Sequence, residues 1–214
     1  MSEDSVEKFW LLLLGVLLGL LCPAIVDAIR RQREVVPVRK ALLGELHELK
    51  YRLACAGRRI EERFGVVDRS YLQWFRSVVV EYEGNKPKDS ILEFVDAQLN
   101  LTDEEIALDA KRKLADSGGG LELKKYLVPL LDSRIPSLWF FESRFQHLLL
   151  DVRAELNLLN EEVDEARYYS RLTFTKLEGD NQSRVESNLI ASYRQIARRA
   201  KITVDKISEL EKCE

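Results

Sequence analysis

His47-Glu48-Leu49-Lys50-Tyr51 opens like the zinc-protease signature H-E-x-x-H. That motif needs two histidines one helical turn apart as metal ligands, with the glutamate as base. Here Tyr51 stands where the second histidine belongs, so the ligand pair is missing. The remaining histidine, His147, lies in a leucine-rich helical stretch and reads as an ordinary helix residue. Gly118-Gly119-Gly120 follows no strand and lacks the Lys-Ser/Thr that completes a phosphate loop. No serine sits in a nucleophile elbow. Carboxylate pairs are plentiful, but on helix surfaces where water solvates them. Cys22, Cys55 and Cys213 make no C-x-x-C, and so few cysteines argue against a disulfide framework and for a reducing compartment. The sequence therefore predicts no catalytic residue, no cofactor and no metal. It does not read as an enzyme.

Charge points elsewhere. The chain carries 33 Lys and Arg against 36 Asp and Glu. Signs this balanced exclude a nucleic-acid binder that relies on a bulk positive field. One basic cluster stands out, Arg198, Arg199 and Lys201, which is read either as a contact for an anionic ligand or as half of a salt-bridge ladder. Glu161, Glu162, Asp164 and Glu165 lie about as far before the turn near Asn181 as the basic cluster lies after it. The ladder is the plainer reading, and it steers register at about 0.2–1 kcal/mol per exposed pair.

What must position these residues begins with residues 9–29, an almost wholly apolar run containing Leu11-Leu12-Leu13-Leu14. A helix rises about 1.5 Å per residue, so about twenty residues cross a hydrocarbon core of roughly 30 Å. The run predicts a transmembrane helix, with residues 1–8 as a short extracytoplasmic tail. Acidic Glu3, Asp4 and Glu7 precede it, whereas Arg30, Arg31 and Arg33 follow in a basic juxtamembrane segment over 30–37. Cationic flanks stay inside, which places the anchor in the plasma or inner membrane with the N-terminus outside and the bulk cytoplasmic. An acidic n-region and a long apolar run are wrong for a cleaved signal. Leu21 before Cys22, where a small residue is expected, argues against lipidation.

Within the run, Gly15 and Gly19 form G-x-x-x-G, the spacing that lets membrane helices approach closely. Pro23 predicts a bend. Asp27 is costly in lipid unless it reaches Arg30 or Arg31 a turn on, or lines a polar seam in an oligomer.

The roughly 180 residues beyond the anchor suffice for one cored domain. It is read as a first helical half over 38–116, a Gly-rich loop over 117–120 and a second half over 121–214. Pro37 predicts a break before a helix over 38–64, whose stripe is Leu42, Leu46, Leu49, Leu53, Ala56, Ile60 and Phe64. Gly65 predicts its stop. Helices follow over about 68–83, 89–99 and 103–116, the last opening on a capping box from Thr102 to Glu105. A short helix over 121–131, with Pro129 near its end, precedes a long one capped by Ser137. Its stripe from Leu138 to Ala166 matches another from Val185 to Leu210, predicting a long antiparallel hairpin. Leu138-Trp139-Phe140-Phe141 is apolar all round, so it is read as buried on every side, with a partner face at Trp139 and Phe140 as the alternative.

The expected fold is therefore all-α: a single N-terminal transmembrane helix and a cytosolic helical bundle. The leading function is a membrane-anchored interaction or scaffold module, homo-oligomeric, contacting membrane lipid and a cytosolic protein partner. The alternative is a membrane-perturbing effector, of host-defence type for example, whose cytosolic domain senses a signal or an anionic ligand. An enzyme with an unrecognised site ranks third.

Overall fold

The computed structural model describes residues 3–115, 121–175 and 179–213, with side chains only in part before residue 34. It is helical with no strand among the described residues. The glycine loop at 117–120 lies outside them. So do the side chains of Pro23, Asp27, Arg30, Arg31 and Arg33.

Helix α1 (Glu3–Phe64) is continuous over 62 residues. The break predicted at Pro37 does not occur, and residue 23 is likewise helical. Proline removes one backbone donor, but Pro37 is exposed, so water can satisfy the carbonyl left over. Val35 and Val38 pack on the core on either side of it, which fixes the helical path. The preference of a residue before proline for extended backbone is weak beside that burial.

No helix among the described residues is long and apolar enough to cross a membrane. Within 9–29 the described side chains are those of Trp10, 12–16, Leu18, Gly19, Cys22 and Val26, fewer than a crossing needs. The span read from the sequence gains no support from them. The second half of α1 is different, because Leu42, Leu46, Leu53 and Ile60 are wholly buried.

The helix stops at Phe64, where the Glu61 carboxylate accepts the Val66 N–H at 3.2 Å. Asp68 then caps α2 (Arg69–Glu81) by accepting the Tyr71 N–H at 2.7 Å, a bond that holds its carboxyl below the usual range. Leu72, Phe75, Val78 and Val79 turn inward, so Val78-Val79-Val80 is helix and not strand. Helices α3 (Asp89–Leu99) and α4 (Asp103–Ala115) follow. At α4 the capping box forms as spaced: Thr102 N–H donates to Glu105 at 2.8 Å, and Glu105 N–H donates to Thr102 Oγ1 at 3.3 Å.

The largest departure is at 121–142. Residues 121–128 are in neither helix nor strand, and helix α5 (Pro129–Arg134) begins where the predicted helix was to end. Proline at the first helical position is favoured because its missing donor would be unsatisfied anyway. The next two donors, Leu130 N–H and Leu131 N–H, each reach one oxygen of Glu45 on α1 at 2.9 Å. A 3₁₀ turn over Ile135–Phe140 comes next, so Ser137 does not cap the long helix. That helix, α6 (Ser143–Leu172), starts five residues later than predicted, after Glu142.

The tight turn also resolves the apolar quartet. Leu138 and Phe141 go into the core, Phe140 is half-buried and Trp139 is 61% exposed. Burial on every side is therefore overturned.

Helix α7 (Asn181–Glu211) returns along α6 and also lies along α1, so α7 is the central element. Every residue of both predicted stripes is buried, from Leu138 to Ala166 and from Val185 to Leu210. The long antiparallel hairpin is present as expected.

Candidate functional site

The main cavity of the described residues, about 860 Å³, lies where α1 faces α3 and the non-helical segment 121–128. That is within the size of small-molecule sites. Its floor is a face of α1 bearing Arg52, Cys55, Ala56 and Arg59. These are spaced three, four and seven apart, so they share one side of the helix. The small side chains in the middle leave space between the two arginines. Ile91, Phe94 and Val95 of α3 form one wall, and Leu121, Leu123, Lys124 and Tyr126 form the other.

The 121–126 wall is held by side chains that take up its backbone groups. Asn160 on α6 accepts the Tyr126 N–H at 2.9 Å and donates to the Tyr126 carbonyl at 2.8 Å. The Tyr193 hydroxyl on α7 does the same for Leu121, at 2.9 and 2.8 Å. Arg167 donates to the Leu123 carbonyl at 2.9 Å, and Lys125 pairs with Asp164 at 2.5 Å. Buried backbone groups must find partners, and these supply them. Asn160→Leu removes both bonds to Tyr126 and strands a part-buried donor and acceptor. We expect a loss of about 2 kcal/mol, read as a lower urea midpoint. An unchanged midpoint would show that the wall does not depend on this clasp.

Electrostatically the groove is basic within an acidic chain. Arg52, Arg58, Arg59, Lys86 and Lys124 line it, against Glu62 and Glu122. Some of this charge is already engaged. Lys86 pairs with Glu48, which also accepts from the Tyr82 hydroxyl at 2.7 Å. Burial alone would raise the Glu48 carboxyl; those two hydrogen bonds outweigh it and hold the group below its usual range. By contrast, Arg52, Arg59 and Lys124 form no salt bridge among the described residues, and Arg52 and Arg59 are exposed on the floor.

The groove's nucleophiles are quiet. Burial pushes the Cys55 thiol up, so it stays protonated at neutral pH. Burial likewise pushes the Tyr51 hydroxyl up to about 12 and raises that of Tyr126. What this arrangement offers is positive charge beside aromatic and aliphatic surface. It is suited to holding an anion.

The residues singled out from the sequence fall elsewhere. Arg199 is half-buried between Glu155 at 3.3 Å and Glu162 at 3.8 Å, both on α6. Lys201 faces away toward Asp205 at 3.7 Å and the Trp74 ring at 5.3 Å, and Arg198 is exposed. The basic trio does not converge on one place. Gly15 and Gly19 lie on the helical N-terminal part of α1, where nothing stands within 4 Å of either Cβ position. The Trp139 and Phe140 rings pack against each other at a tilt of 34°, with centroids 3.7 Å apart.

His47 and Lys50 belong to a different cluster. Lys50 is 1% exposed and donates to Glu81 at 2.6 Å and to Glu211 at 2.7 Å. Glu211 also meets His47 Nδ1 at 2.8 Å, which fastens the end of α7 to α1. Among the described residues, no group of three metal-ligating side chains occurs. No family model, curated protein or solved structure matches the chain.

Proposed function

We propose that this protein is a membrane-tethered, self-associating helical module whose bundle stands on the cytosolic side and receives a partner or ligand there. The observation that supports the tether is the apolar surface left on the N-terminal part of α1. Leu12 is 71% and Leu18 54% exposed, with Trp10, Leu14, Val16 and Val26 also outward. Exposed apolar side chains in this number need a covering other than water. In the full sequence, Asp27 is the one side chain between residues 9 and 29 that is charged at neutral pH. Lipid is the covering that suits such a run, and the arginines after it set the orientation.

Self-association follows from Gly15 and Gly19. With open space at both positions, a second helix can approach the backbone closely there. Outward Trp139 beside Phe140 provides an apolar contact for a protein partner. The groove favours one further reading, in which ligand capture switches an effector whose clustered anchors perturb the bilayer; Arg198, Arg199 and Lys201 give it less support because they do not converge.

Two measurements test the proposal. After carbonate washing, the full chain should remain with the membrane pellet, and release into the supernatant would end the tether. Gly15→Ile with Gly19→Ile should reduce the detergent-solubilised assembly to monomer while leaving helicity unchanged. An unaltered assembly mass would move self-association away from the anchor.

A further inference from the structure

We infer that the groove between α1, α3 and the 121–128 segment is a binding site for a soluble phosphorylated ligand carrying a planar ring, the nucleotide class. Three observations carry this. The first is Arg58, which is 5% exposed. Its Nε donates to Glu62 at 2.9 Å and its Nη2 donates to Gln98, yet its buried Nη1 has no partner. Buried guanidinium donors are rarely left open, and this one belongs to a side chain lining the groove. Nη1 is itself closed to solvent, as are the unpartnered Nε atoms of Arg39 and Arg199, so a phosphate oxygen in the groove completes it only when the guanidinium turns outward.

The second is charge without an acidic partner, although the Arg52 guanidinium lies over the Tyr126 ring at 5.4 Å. Arg52 and Arg59 sit two helical turns apart on the same face, with Lys124 on the facing wall. Three cations around a cleft, without salt bridges among the described residues, match a ligand bearing more than one negative charge. The third is the wall itself. Phe94 is half-exposed at the rim beside half-buried Ile91, opposite half-buried Leu121 and Leu123. Lys113 lies over the Phe94 ring at 5.1 Å, so a flat ring would use the remaining Phe94 surface together with these leucines.

The same phosphate chemistry could come from a lipid headgroup. On the proposed topology Arg52 lies about 35 Å along the helix from the end of the anchor, which favours a ligand from solution. Binding in the groove does not otherwise depend on the anchor, so either reading can fail alone.

The test is calorimetric titration of the full chain in neutral phosphatidylcholine nanodiscs with ATP, GTP, adenosine and tripolyphosphate. A parallel arm carries a phosphoinositide in the bilayer and no nucleotide. At least one nucleotide should bind in the micromolar range, adenosine at least about tenfold more weakly. Arg52→Gln with Arg59→Gln should weaken that nucleotide about tenfold or more. Both positions are exposed, so the variant should keep its circular dichroism spectrum. Phe94→Ala should weaken the nucleotide about tenfold and leave tripolyphosphate unchanged. No heat with either nucleotide up to millimolar concentration would overturn the inference. So would equal affinity for tripolyphosphate and nucleotide, or binding seen only with the phosphoinositide.

Discussion

On the proposed membrane tether and topology, replacing Leu14 and Leu18 together by arginine should move the protein from the membrane pellet to the supernatant. Both side chains are outward on α1, one turn apart, so the substitution cannot act by breaking a packed core. Arginine near the middle of a spanning helix costs about 2.5–3.5 kcal/mol on insertion, and less toward the interface where its stem can reach the headgroups. Residue 18 lies near the midpoint of residues 9–29, and residue 14 nearer the outer edge. Together they should shift partitioning more than about a hundredfold. Leu14→Gln with Leu18→Gln should have a smaller effect, because the amide is uncharged. If the arginine variant stays with washed membranes as firmly as the parent, lipid is not what covers this surface.

The bundle was readable where one periodicity ruled one element. Leu148, Val152, Leu156, Leu159 and Val163 repeat every three or four residues without interruption, and Leu189, Tyr193, Ile196 and Ala200 answer them. Burial of such stripes dominates the energetics, so hairpin and core followed from spacing alone. Residues 121–128 were misread because their stability is not local. Leu121-Glu122-Leu123-Lys124 alternates with the period of a strand, a signal outweighed by the leucines that follow. What holds the segment in place is Asn160 and Tyr193, thirty-four and seventy-two residues away in the chain, and no window of sequence contains that.

The groove escaped the sequence reading for the same reason and one more. A search for apolar stripes follows the buried face of α1 and passes over Arg52 and Arg59 on the flank beside it. Their seven-residue spacing around Cys55-Ala56 was visible, but two arginines on a helix usually mark a solvated face. They became a candidate site only once the fold set Lys124 and an exposed Phe94 across from them. Likewise Lys50 looked like a failed metal motif, because the carboxylates that justify its burial come from α2 and from the end of α7.

That cluster gives the other large effect. Glu81→Gln with Glu211→Gln leaves Lys50 buried with neutral acceptors of the same shape. Burial by itself would lower the ammonium group's pKa; hydrogen bonds to Glu211 and Glu81, with their charges, outweigh it and raise the group above its ordinary value. In the parent, this pairing stabilises the fold fully below the unfolded lysine value near 10.4 and fades as pH rises through the folded one. The double variant reverses the sign. With only burial acting, the folded pKa falls below the unfolded one, the unfolded chain holds more protons, and stability climbs as pH approaches about 10.4. Stranding a buried charge costs about 3–5 kcal/mol; Glu81 is largely exposed, so we expect about 3 kcal/mol at pH 7. The deficit relative to the parent should shrink between about pH 8 and 10.5, as Lys50 sheds its proton in the folded variant. Taking the difference of the two proteins cancels the alkaline titration of the buried tyrosines, which they share. A deficit that holds constant over that range would mean that Lys50 is not the group left unpaired.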